Sequence, residues 1–116
     1  PTEGGIATGL WELAEAAQVG LVIDDPRLPV LPPCAAMCSH FGLDPLGLIA
    51  SGSLLIAAEK ARAAAIVERL QSEGIAAAVI GEVVPAEQGC LLRSADRSTR
   101  PLPTFSRDEI TRLFEQ

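Results

Sequence analysis

Residues 59–72 carry a helical period, and they stand between two short apolar runs, Ser53 to Ala57 and Ala77 to Val84. The helix is expected to turn Ala63, Ile66, Val67 and Leu70 inward, and Gly74 sits where a left-handed residue closes a helix. Runs this short suit strands, and strand–helix–strand in that order predicts a parallel pair with a right-handed crossover. A turn at Ala86-Glu87-Gln88-Gly89 then leads to Cys90–Arg93, read most simply as a hairpin antiparallel to 77–84.

The first half reads less regularly. Residues 5–18 form an amphipathic helix with Ile6, Leu10, Leu13 and Ala17 on its apolar stripe and Glu12 and Glu15 opposite, closed by Gly20. Leu21-Val22-Ile23 is a strand running into Asp24-Asp25-Pro26, a turn, and Pro26 to Pro33 is extended. Cys34 to Phe41 is a short helix stopped by Gly42, and Asp44-Pro45 opens another short turn through Ile49. At the far end, Ser94 to Arg100 reads as a loop. Ser106 with Glu109 makes a capping box for a last helix, Arg107 to Phe114. The layers implied are helices on a mixed sheet, an α/β (α+β) domain.

Composition narrows the function. The chain is 48% hydrophobic but only 3% aromatic, so aliphatic and small side chains build the core, as where helices lie close on a sheet. A net charge of −6 repels phosphate backbones and argues against nucleic acid as a partner. No apolar run reaches the roughly 20 residues that span a bilayer. Three cysteines, an odd number, fit a reducing cytosol better than a disulfide framework, so a cytoplasmic location is expected. Pro1 precedes the first helix by only a few residues, which reads as a domain cut from a longer protein.

Few residues offer chemistry. Gly4, Gly5 and Gly9 open the first helix, and backbone N–H groups there can hold an anion, although no Gly-Lys-Ser/Thr follows and spacing alone favours a plain glycine-rich start. Cys34 and Cys38 lie one helical turn apart, with His40 near and Cys90 distant. Zinc needs four ligands and one loose pair is short of that, so the cysteines are read as small hydrophobes and no metal site is expected. Trp11 falls off the apolar stripe. Either it packs on a neighbouring loop or it marks an interface, where Trp is favoured.

Several stretches together resemble one family. Pro1-Thr2-Glu3-Gly4-Gly5-Ile6-Ala7-Thr8 with Leu10-Trp11-Glu12-Leu13-Ala14-Glu15-Ala16 is similar to the segment that opens the C-terminal domain in the AIR synthetase-related superfamily, including its HypE-type hydrogenase-maturation branch. Gly20–Asp24, Phe41-Gly42-Leu43-Asp44-Pro45-Leu46, Ser51–Ala57 and Ile80-Gly81-Glu82-Val83-Val84 follow in family order, so the resemblance covers about residues 1–93.

The resemblance implies a three-layer α/β/α domain with a mixed sheet, partly ferredoxin-like, spanning 1–116 as the C-terminal part of a two-domain protein. It implies an N-terminal domain that holds ATP and Mg²⁺ and forms a homodimer, with this domain closing over the cleft on a small-molecule substrate. The positions matching the contact segment are Thr2, Glu3, Gly4 and Gly5, with Glu3 where the HypE branch often has Arg. Residues 94–116 depart from that branch, and Leu113-Phe114-Glu115-Gln116 lacks its cysteine tail, which points to a relative of unassigned substrate. Alone, the domain is expected to be inert. A non-catalytic binding or assembly module using Trp11 is the alternative, as is a HypE-like factor without the tail.

Overall fold

The computed structural model describes residues 3–114. Helix α1 (Gly5–Ala17) is followed by strand β1 (Gly20–Asp24), helix α2 (Pro32–Phe41), helix α3 (Lys60–Ser72) and strands β2 (Gly81–Val84), β3 (Cys90–Arg93) and β4 (Thr99–Pro101). Short 3-10 turns cover Asp25–Arg27, Pro45–Gly47, Ala86–Gln88 and Glu109–Phe114.

The strands form one mixed sheet in the order β2-β1-β3-β4. β1 runs antiparallel to β2 and parallel to β3, and β4 closes the edge antiparallel to β3. The expected hairpin is therefore replaced: β1 lies between the two strands that were to pair. The reason is burial. Gly20 to Ile23 are all buried, and an aliphatic strand covered on both faces belongs in the middle of a sheet. The 85–89 turn crosses the start of β1, where the Leu21 amide donates to the Gly89 carbonyl at 3.0 Å. Gly20 permits this crossing, since a β-carbon there would lie 2.5 Å from the Gly89 oxygen and 2.7 Å from that of Pro85. Gly20 thus belongs to the strand, and α1 is closed by Gln18 in the left-handed conformation.

The 53–57 run makes no strand. It extends through residue 59 outside the sheet, with Leu54 80% exposed, and the parallel partner of β1 is β3 rather than a crossover strand. Helix α3 has the expected span, but its stripe of Ala63, Ile66, Val67 and Leu70 is only half-buried. Gly74 is left-handed, as a closing residue should be. The end of the expected 94–100 loop and the residue after it form β4 (Thr99–Pro101), and the 94–98 turn is held by Asp96, which accepts from the Ser98 amide and hydroxyl.

The core lies between α1 and the sheet. Ala7, Leu10 and Ala14 of α1 meet Leu21 and Ile23 of β1, Cys90 and Leu92 of β3, and Leu46 and Leu102. The buried stripe is rotated from the one expected, because small Ala7 and Ala14 allow close approach while Ala17 stays exposed. A smaller cluster gathers Cys38, Leu43 and Leu48, with Cys34, Ile110 and Leu113 against it.

Candidate functional site

The start of α1 is built from its two glycines outward. Glu3 is exposed in a turn, and Gly4 is buried at the cap position with a φ of 78°. Gly5, at φ 67°, passes so close to the 46–48 turn that a β-carbon would sit 2.5 Å from the Leu46 oxygen and 2.6 Å from that of Leu48. Only glycine meets both conditions. Thr2, also named from the sequence, lies outside the described residues.

A residue that the sequence reading passed over occupies this helix start. The Asp108 carboxylate accepts from the Gly4 amide at 2.9 Å through one oxygen, and from the Ile49 and Ile110 amides at 3.1 and 3.0 Å through the other. Asp108 is only 5% exposed, so these charge-assisted bonds replace its lost hydration. Its neighbour Glu109 accepts from the Asp44 amide at 2.9 Å and from Arg112 at 3.0 Å, while Arg112 also donates to the Gly42 carbonyl. Asp44 in turn caps the Leu46 amide, as its position before Pro45 led one to expect. The helix start, the 44–48 turn and the terminal turn form one hydrogen-bonded knot.

The expected capping box is corrected by this arrangement. Asp108, rather than Ser106, caps the last turn, Glu109 reaches away to Asp44, and the segment is a 3-10 turn over Glu109–Phe114. The run Ser106-Arg107-Asp108-Glu109 offers several acceptors to one helix end, and local pattern does not choose among them. Nothing local signals a bond across 104 positions.

These contacts bear on a nucleotide at this start. The Gly4 amide is taken by an internal carboxylate, and Glu3 adds another beside it, so among the described residues this helix start offers no free Gly4 donor to a phosphate. Both glycines are accounted for by backbone and packing, and any contact with a bound molecule comes in addition.

The other named residues are placed as follows. Trp11 is half-buried against the core, and its indole N–H donates to the Leu102 and Pro103 carbonyls at 3.2 Å each. Asp24 is held by Arg93 at 2.6 Å, and the guanidinium lowers its pKa from the ordinary 3.8. Cys38 and Cys90 are buried and Cys34 is half-buried, all as free thiols. Burial, reinforced by the Cys34 thiol beside it, pushes Cys38 up to about 11. Among the described residues, no three His, Cys, Asp or Glu side chains are placed to share a metal ion. No helix among them is long and apolar enough to cross a membrane.

A mixed four-stranded sheet with α1 across it defines an α+β domain, and the comparisons identify which. Residues 1–91 match the family model "AIR synthase related protein, C-terminal domain", and the chain belongs to that family. Carbamoyl dehydratase HypE of Rhodobacter capsulatus is 35% identical over 115 residues, covering 97% of this chain and 34% of its own length. That match runs well beyond residue 93, into the stretch that the sequence set apart. The crystal structure of Escherichia coli HypE superposes with a TM-score of 0.84 at 33% identity, over 97% of this chain and 35% of that one. HypE solved in complex with ATP gives a TM-score of 0.81 at 32% identity, over 91% and 34%. The chain spans about a third of the length of these relatives.

Proposed function

We propose that this chain is the C-terminal domain of an ATP-using protein of the HypE type and closes over a nucleotide and substrate cleft formed mainly by a preceding domain. The observation that carries the reading is the likeness to HypE solved with ATP, at 32% identity over 91% of this chain. In this reading ATP and Mg²⁺ are held by the other domain, and the Thr2–Gly5 segment lines the cleft edge without gripping phosphate itself. Its chemistry is positioning. The Asp108 knot ties down the Gly4–Gly5 turn, and an edge held in this way presents Glu3 to the cleft at low entropic cost.

Within the family, the hydrogenase-maturation branch is favoured over a relative of unassigned substrate. The support is the 35% identity to Rhodobacter capsulatus carbamoyl dehydratase HypE across 97% of this chain. A homodimer of the longer protein in the cytoplasm is part of the same proposal. Calorimetric titration of Mg-ATP tests it. The isolated chain is expected to show no saturable heat and the longer polypeptide carrying it to bind. A longer polypeptide that fails to bind Mg-ATP overturns the reading.

A further inference from the structure

The far end of α1 bears a second feature, away from the Gly4–Gly5 start. Trp11 and Glu15 lie one turn apart on a face of α1, and Gln18, the left-handed residue that closes the helix, borders the same surface. They look across a depression of about 350 Å³ to Ala86 and Gly89, with buried Cys90 among its walls. Gly89 leaves that wall open, since no atom lies within 4 Å of where its side chain would begin.

The polar groups here are unevenly engaged. The Trp11 N–H is spent on the Leu102 and Pro103 carbonyls, so the indole offers this depression ring surface and no donor. Glu15 is exposed one turn further on, and among the described residues it makes no ion pair. An electron-rich ring beside a free carboxylate and an amide attracts a flat, delocalised cation. A guanidinium stacks on the indole while its N–H fork meets the carboxylate; a compact ammonium forms only the second contact. A net charge of −6 adds a long-range pull on a basic partner.

From this geometry we infer that the Trp11–Glu15–Gln18 face is a docking site for an arginine side chain presented by another polypeptide. The inference deepens the reading of Trp11 as an interface residue and does not depend on ATP. The test is a nuclear magnetic resonance titration of the isolated chain with the peptide acetyl-Gly-Arg-Gly-amide and with its uncharged citrulline counterpart. Saturable shifts are expected at the Trp11 indole N–H and at the Gln18 and Gly89 amides with the arginine peptide. Binding is expected to weaken about threefold or more with citrulline, and likewise in Glu15→Gln, whose exposed position spares the fold. Equal affinity for the two peptides, unchanged affinity in the variant, or no saturable shift overturns the inference. None of these outcomes touches the Mg-ATP titration, so the two proposals fail separately.

Discussion

The carboxylate of Asp108 lies 2.9 Å from the amide of Gly4, joining the terminal turn to the first helix across 104 positions of sequence. The same side chain also holds the Ile49 and Ile110 amides, so one buried residue ties three separate segments. Removing it by Asp108→Ala leaves these amides without their acceptor. We expect a loss of about 3 kcal/mol in unfolding free energy, read by urea denaturation. Asp108→Asn keeps one acceptor oxygen and is expected to lose less. An Asp108→Ala variant as stable as the parent would show that the tie contributes nothing.

Gly5 and Gly42 separate crowding from backbone strain. Both have positive φ, 67° and 68°, but a β-carbon at Gly5 strikes backbone oxygens whereas at Gly42 it meets nothing within 4 Å. Gly42→Ala is expected to cost about 1 kcal/mol, the left-handed penalty alone. Gly5→Ala is expected to cost about 3 kcal/mol or more, because backbone atoms cannot swing aside. Thermal unfolding of both variants checks the order.

Asp24 gives the stability an acid dependence. Its folded pKa lies below the ordinary 3.8 because Arg93 donates to it, so its contribution is complete above that value. It is lost as pH falls through the lowered folded value. Asp24→Asn should therefore flatten the stability curve below about pH 4 while leaving its slope near neutrality unchanged. Denaturation midpoints measured from pH 7 down to pH 2 decide this.

The thiols should differ in reactivity. Cys38 is pushed up to about 11 and is 2% exposed, and burial raises Cys90 as well, whereas Cys34 is half-buried. In native protein at pH 8 one thiol should react quickly with a chromogenic disulfide and two should stay protected until unfolding. Cys34→Ser is expected to abolish the fast phase.

Much of this architecture is legible in the sequence wherever a local rule decides it. Proline at the start of α2, the left-handed glycine that ends it and Asp44 capping the turn at Pro45 follow from residues within a few positions. Strand order does not. The choice of β1 over a hairpin neighbour for β3 depends on how thoroughly β1 is buried and on Gly20 letting a turn pass over it. The candidate site divides the same way. Gly4 and Gly5 stand out in the sequence because they open a helix pattern, yet Asp108, the partner of Gly4, looks like any acidic residue near a helix end. Trp11 stands out as the single tryptophan, while the carbonyls that receive its N–H lie in an unpatterned proline segment.

The central claim is that this domain closes an ATP site held elsewhere, and ATP turnover with and without the domain tests it most directly. In the longer polypeptide, deletion of residues 1–116 should leave Mg-ATP binding measurable but abolish turnover. Adding the isolated chain back should restore turnover in part. Turnover that survives the deletion undiminished would contradict the account.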